Sequence, residues 1–232
     1  MKLQIVPAKQ GLLWVKQGIR TFWRQPLAFT GLFFLFMAWV SLLSMVPFIG
    51  AALALLVLPA ATLGLMVATE QAASGKFPMP TVMLVAFRAG QQRLKAMLLL
   101  GVLYALSFLA VMAISALVDG GGFAMVYLAN APITPEVVND TDFQTAMWLT
   151  TIMYVPLSML FWHAPALVHW HGVPPVKSLF FSAIACWRNL GAFAVYLLAW
   201  AGVFVACAVL ILLISSALGG NDLSAAVLMP GA

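Results

Sequence analysis

The sequence predicts an all-α protein, a polytopic transmembrane helical bundle that forms a single integral-membrane domain over residues 1–232. The first observation is composition: 64% of the residues are hydrophobic and only 7% are charged. Soluble domains have roughly 45–50% apolar and about 25% charged residues. The second is that the apolar residues form continuous runs near helical span length, about 20 residues, rather than the alternating strands of a β-barrel. Together these exclude a soluble enzyme, a disordered chain, a disulfide scaffold and a nucleic-acid binder.

The first element is an amphipathic helix at residues 8–24. Its apolar residues Leu12, Val15, Ile19 and Phe22 recur at helical spacing, and its lysines and arginines occupy the other side. This pattern is typical of a helix that lies in the membrane interface.

The apolar runs then predict five full spans and two short surface helices. The spans lie near residues 27–46, 51–69, 95–118, 143–170 and 190–216. Prolines begin the short helices at 81–93 and 176–187, which lie on one side of the membrane. A loop at 119–142 lies on the other side.

The distribution of charge predicts the orientation. With five spans, all eleven basic residues fall on the side of the N-terminus: Lys2, Lys9, Lys16, Arg20, Arg24, Lys76, Arg88, Arg93, Lys95, Lys177 and Arg188. The acids Asp119, Glu136, Asp140, Asp142 and Asp222 fall on the opposite side. The positive-inside rule therefore places the N-terminus in the cytoplasm and the 119–142 loop on the far side of the membrane, which in a bacterial inner membrane is the periplasm. Anionic lipid headgroups are the expected partner of the basic side, and nucleic acid is not.

An internal repeat predicts a further span. Its unit is a surface helix, an aromatic-Arg-amide corner and a span that begins with Ala-Phe, as in 22–29 and 186–193, and more loosely around 77–93. Each unit would continue as a hairpin of two spans, giving six spans in the complete protein. The third hairpin has one full span, so we expect a sixth to begin at Ala225; the alternative is a short periplasmic tail.

Several long phrases of the chain carry a resemblance to a known group of proteins. They are the N-terminal MKLQIVPAKQGLLWVKQGIRTFWRQPLAF, LPAATLGLM, GKFPMP, and WHAPALVHWHGVPPVKSLFFS with the later WRN. Over essentially its whole length the chain resembles an uncharacterised family of polytopic bacterial inner-membrane proteins, found mostly in beta-proteobacteria. The resemblance implies a polytopic inner-membrane protein, often with a further C-terminal span, and supplies no catalytic residues.

The three histidines are the first candidate site. His163, His169 and His171 all lie in the phrase WHAPALVHWHG, at the end of the fourth span. Neutral imidazoles can bind a metal or a porphyrin, or relay protons. Structural metal sites usually need about three or four ligands, and no second cluster supplies them. The structural alternative is a set of interfacial side chains that hydrogen-bond to headgroups or loops. We therefore predict no metal site and no cofactor.

The corners between surface helices and spans are the second candidate. They carry the arginines Arg24, Arg88, Arg93 and Arg188 and the amides Gln25 and Asn189. Contact with lipid phosphates is one interpretation, and an anionic-ligand pocket where the corners converge, oriented by the two amides, is the other.

Glu70 is the only acid on the basic side. It is expected to form a corner ion pair with Lys76 or Arg93, although an ionisable group at membrane depth would also suit a proton or cation site.

These features favour a non-enzymatic accessory, scaffold or assembly protein that acts through protein and lipid contacts in a membrane complex, with other membrane subunits as partners. One alternative is a small-molecule or lipid transporter or pore, which a polar cavity at the membrane midplane would support. Another is an electron-transfer subunit that uses the span-four histidines. The two cysteines, Cys186 and Cys207, are expected to be free thiols.

Overall fold

The computed structural model describes residues 3–129 and 131–217, and these residues are almost entirely helical. The helices are α1 (Gln10–Arg24), α2 (Pro26–Ser44), α3 (Gly50–Ala73), α4 (Val85–Arg88), α5 (Gln91–Asp119), α6 (Gly122–Ala129), α7 (Pro135–Asn139), α8 (Thr141–Phe161), α9 (Ala164–His171), α10 (Pro175–Arg188) and α11 (Leu190–Ala217), with a 3-10 helix at Pro80–Leu84. The predicted all-α class is confirmed. The sixth span expected from Ala225 falls outside the described residues.

Five helical segments are long and apolar enough to cross a membrane, as the sequence predicted. They are Pro26–Ser44, Gly50–Ala73, Gln91–Asp119, Thr141–His171 and Leu190–Ser216. The second span continues about one turn past its predicted end at residue 69, because no helix breaker occurs before Gly75, whose φ is +80°.

The predicted surface helix at 81–93 is divided in the structure. The 3-10 helix and α4 end at Arg88, Gly90 adopts a φ of +93°, and α5 begins at Gln91. A φ in this region favours glycine, so Gly90 breaks the helix that the sequence pattern extended. Arg93 therefore belongs to the first turn of the third span. The second surface helix, α10, covers Pro175–Arg188.

The fourth span is interrupted between α8 and α9. Pro165 cannot donate a backbone hydrogen bond, and its ring would clash with the carbonyl of Phe161 in a continuous helix. The backbone N–H of His163 donates instead to Ser182 Oγ at 2.9 Å, and that hydroxyl donates to the Met159 carbonyl at 2.7 Å. A serine of α10 thus occupies the place of one helical hydrogen bond and satisfies both freed backbone groups.

The packed core lies around α3, which contacts α2, α5 and the 3-10 helix. Glycine brings these backbones close together: a Cβ on Gly101 of α5 would lie 2.1 Å from the Leu56 carbonyl oxygen of α3. Small residues permit this approach. Because lipid tails are as apolar as the side chains, helices in a membrane associate through such close van der Waals packing rather than through the hydrophobic effect. Leu63 and Leu100 are fully buried here.

The last helix, α11, packs mainly against α1. A Cβ on Gly11 would lie 2.1 Å from the Ala192 carbonyl oxygen, so these two helices also meet at backbone distance. The most apolar window of α11 is 0% buried within the described part of the chain. One face of the predicted interfacial helix α1 therefore packs against α11 of the same chain, and Val15 of α1 is buried.

Candidate functional site

A cavity of about 1350 Å³ lies inside the bundle. Helices α2 and α3 form one wall, α5 and α8 form the base, and α10 and α11 form the other wall. The lining of α3 runs from Ala51 to Met66, which is about 22 Å of helix at about 1.5 Å per residue. The hydrocarbon core of a bilayer is about 30 Å thick, so the cavity spans much of its depth.

The cavity is partly enclosed, and exposed lining residues on both flanks indicate that it opens between α2 and α11. Met45, the residue that follows α2, is 75% exposed, and Leu197 of α11 is 62% exposed. These two helices belong to spans with little burial. The opening therefore faces the apolar region of a surrounding bilayer.

Two tyrosines meet at the base of the cavity, near the middle of their helices. Tyr104 belongs to α5 and Tyr154 to α8, and their phenol oxygens lie 3.4 Å apart, with either able to donate. Two phenols have two donor hydrogens, and one bond between them uses one. The pair therefore retains a donor and several acceptor lone pairs toward the cavity.

Aromatic rings hold this pair in place. Tyr104 meets Phe161 edge to face at a centroid distance of 5.0 Å, and Phe108 packs between Tyr104 at 6.2 Å and Tyr154 at 6.1 Å. Tyr127 approaches Phe108 from α6 at 5.8 Å. Edge-to-face and offset contacts of this kind restrict ring motion and fix the positions of the hydroxyls.

The position of Tyr127 follows from the start of α6. Both carboxylate oxygens of Asp119 accept backbone N–H groups, from Gly121 at 2.9 Å and from Phe123. Such a cap satisfies the unpaired donors at a helix start and suits the positive end of the helix dipole. The α6 helix is thereby directed over the cavity.

Three of the other lining hydroxyls are used within their own helices, and Ser41 and Tyr127 also line the cavity. Ser44, Thr62 and Ser158 donate to the carbonyls of Val40, Leu58 and Val155 at 2.7–2.9 Å, as is common for hydroxyls in apolar helices. Among the described lining residues none is Asp, Glu, Lys, Arg or His. The cavity is therefore uncharged and mainly apolar, and its hydroxyl groups include the tyrosine pair near the middle of the spans.

A second aromatic group closes the cavity at the end of the bundle that carries the arginines, which we call the basic end. Phe193 of α11 packs against Trp162 at 5.4 Å and against Trp14 of α1 at 5.5 Å. These contacts join α1 and α11 to the break in the fourth span.

The structure separates the three candidate histidines. His163 lies at the helix break, with Nδ1 3.6 Å from Cys186 Sγ. His169 lies near Arg93 and Glu70, and its buried Nδ1 has no hydrogen-bond partner among the described residues. His171 is exposed. No group of three or more His, Cys, Asp or Glu that could hold a metal forms in the part of the chain described.

The two cysteines are free thiols, Cys186 buried and Cys207 exposed. Burial raises the pKa of the Cys186 thiol to about 11, because the buried thiolate would lose its solvation. Cys186 is therefore a neutral thiol beside His163 at neutral pH.

The predicted corner amides hold backbone groups. Gln25 Nε2 donates to the Lys76 carbonyl at 3.0 Å, and Arg24 beside it reaches the Ala73 carbonyl at 3.4 Å. Asn189 accepts from the Val6 N–H at 2.8 Å and donates to the Gln4 carbonyl at 3.0 Å. The amides thus fasten the first corner to the end of α3 and the N-terminal arm to the last corner, and their role toward a ligand stays a prediction.

The charged corner residues lie at the surface. Arg24, Arg88, Arg93 and Arg188 are all exposed. Glu70 is exposed as well, and both it and Arg93 act electrostatically on His169. The ion pair of Glu70 with Lys76 or Arg93 stays a prediction, as does the contact of the arginines with lipid phosphates.

The tyrosine pair was not predicted from the sequence. The chain has only four tyrosines, and in membrane proteins this residue favours the interface. Tyr104 and Tyr154 both stand near the middle of an apolar span, where a hydroxyl needs a partner. That position is a sequence signal for a polar site, although it does not show that the two residues meet.

Five apolar spans and an internal cavity define a polytopic helical membrane protein. Over 233 aligned residues the chain is 41% identical to a protein of Burkholderia thailandensis named "Probable inner membrane protein", covering 99% of this chain and 86% of that relative. The chain belongs to this family of bacterial inner-membrane proteins, as the sequence resemblance implied. No protein-family model matches the chain, and no solved structure matches it.

Proposed function

We propose that this inner-membrane protein is non-enzymatic and binds a lipid or lipid-like small molecule in the cavity, exchanging it laterally with the bilayer. The observation that carries the proposal is the cavity of about 1350 Å³ at membrane depth. Pockets for drug-sized molecules measure about 300–1,000 Å³, so this space suits a larger, elongated ligand. Of the functions that the sequence left open, this cavity favours a lipid transporter, because its lining is mainly apolar rather than the polar lining that a water-soluble substrate would need.

Access and chemistry support the same proposal. The opening between α2 and α11 gives a molecule dissolved in the bilayer a route that does not cross water. The hydroxyls of Tyr104 and Tyr154 have no acid or base beside them among the lining residues, which favours binding over covalent chemistry.

The basic end is proposed to face the cytoplasm. Its exposed arginines would then contact the anionic headgroups of that leaflet, which attract basic residues near the surface. This contact would hold the bundle at a fixed depth, with the cavity level with the acyl chains.

The test uses cavity filling. Thr62 lines the cavity and is exposed, and its hydroxyl bonds only to its own helix. Thr62→Trp should therefore occupy the space with little damage to the core. Thr69 is exposed on the same helix with the same type of bond, but it does not line the cavity, so Thr69→Trp is the matched control.

The measurement is native mass spectrometry of the protein extracted from membranes in mild detergent. We expect the wild type and Thr69→Trp to carry bound lipid and Thr62→Trp to lose most of it. Equal lipid retention by all three proteins, or none in any, would contradict the proposal.

The accessory-subunit function remains a second candidate because of α11. Its apolar window is unburied in the described chain, which leaves a full span able to pack against another membrane protein. The same spectra distinguish the two functions, since a subunit would add a protein mass that Thr62→Trp does not remove.

A further inference from the structure

The charge of the cavity limits which lipid it can take. Its described lining has no lysine, arginine, histidine or acid, and the charged residues of the described spans lie at helix ends. A phosphate placed in this cavity would lose its water and gain no cation, which is strongly unfavourable. Phospholipid headgroups are therefore poor ligands for the interior of the cavity.

The tyrosine pair favours an uncharged polar group in the ligand. The Tyr104 and Tyr154 hydroxyls lie 3.4 Å apart and retain one donor and free lone pairs between them. An uncharged hydroxyl or carbonyl can use these groups, and an apolar chain can fill the remaining length of the cavity. A plain hydrocarbon has no polar group and would leave the two tyrosine hydroxyls without a hydrogen bond to the ligand.

The pair is also held in position before a ligand arrives. Phe161 meets the Tyr104 ring at 5.0 Å, and Phe108 packs against both tyrosines. Phe108 and Phe161 are themselves buried, at 4% and 8% exposure. Because the rings are fixed, a ligand forms its hydrogen bond without ordering these side chains.

We propose that the cavity is selective for a neutral long-chain lipid whose hydroxyl or carbonyl group hydrogen-bonds to the Tyr104–Tyr154 pair. This inference rests on the proposed function, since it names the class of lipid bound at that site.

The first test compares two probes that differ in charge. Dioleoylglycerol has a free hydroxyl, and dioleoylphosphatidic acid has the same chains with a phosphate in its place. Each is titrated into delipidated protein in detergent and followed by native mass spectrometry. We expect dioleoylglycerol to bind at least about tenfold more tightly, because the phosphate finds no cation in the cavity.

The second test removes the hydroxyls. The double variant Tyr104→Phe/Tyr154→Phe keeps the rings, and we expect it to bind dioleoylglycerol about 3–10-fold more weakly, the usual effect of losing a hydrogen bond. Tyr196→Phe is the control because Tyr196 lies outside the cavity lining, against Trp14 and Trp162. Unchanged elution and circular dichroism of all variants confirm that they fold.

The outcomes separate the two proposals. Equal or tighter binding of phosphatidic acid, or full binding by the double phenylalanine variant, would overturn the neutral-lipid inference and leave the lipid-binding function standing. Failure of both lipids to bind the wild type, with loss of the difference between Thr62→Trp and Thr69→Trp, would overturn the proposed function itself.

Discussion

Single glycines determine how closely the spans approach. Gly101 has no space for a side chain, since its Cβ would lie 2.1 Å from the Leu56 carbonyl oxygen, a backbone atom that cannot rotate away. Gly31 of α2 has no atom within 4 Å of the same position. Both residues are glycines, but one is crowded by a neighbouring backbone and the other has open space beside it. The requirement for glycine at 101 therefore comes from the neighbouring helix.

Replacement by alanine tests this difference. We expect Gly101→Ala to separate α3 from α5 and lower the free energy of unfolding by about 1–3 kcal/mol, the usual cost of overpacking. Gly31→Ala should leave stability unchanged or raise it, because alanine favours the helix. Thermal unfolding of both variants in detergent is the measurement, and equal unfolding temperatures would contradict the close approach.

The interrupted fourth span is completed by a serine from another helix. Ser182 of α10 lies between the His163 N–H and the Met159 carbonyl, the two groups that one helical hydrogen bond would have joined. Ser178 of the same helix is equally buried, but it bonds only to the Pro175 carbonyl of its own helix. The two serines therefore differ in whether a neighbouring element depends on them.

Ser182→Ala should leave two backbone groups without a partner at an apolar site. We expect a loss of about 1–3 kcal/mol in the free energy of unfolding. Ser178→Ala should cost less, since the Pro175 carbonyl lies at a helix start. Unfolding by a chemical denaturant measures both losses. An equal loss in the two variants would contradict a stabilising role for the hydrogen bonds between Ser182 and the fourth span.

The spans of this protein could be predicted from the sequence, but the contacts between distant residues could not. The five spans follow from continuous apolar runs, and the structure agrees with them. Pro59 and Pro156 stay inside helices while Pro165 follows a break, although the local pattern treats all three alike. At the break, the freed backbone groups are satisfied by Ser182, which is distant along the chain. The Tyr104–Tyr154 pair escaped prediction for the same reason, because only the packing of α5 against α8 brings these residues together.

The charge distribution of the whole molecule predicts its orientation in the membrane. Basic residues are attracted to the cytoplasmic side of the inner membrane, and the loops of this chain are short enough for that bias to act. Lys76 lies at the basic end after α3, and Val138 lies in α7 at the other end, both exposed. They are suitable positions for a label because neither belongs to the cavity lining.

Single cysteines at these positions, with Cys186 and Cys207 replaced by serine or alanine, report the orientation. In intact cells with a permeabilised outer membrane, a membrane-impermeant maleimide should label Val138→Cys and leave Lys76→Cys unlabelled. After disruption of the inner membrane both should react, which controls for reactivity. The reverse pattern would place the basic end in the periplasm, and the arginines of the corners would then meet no cytoplasmic headgroups. The cavity between α2 and α11 would still open to the bilayer in either case, because its opening faces sideways.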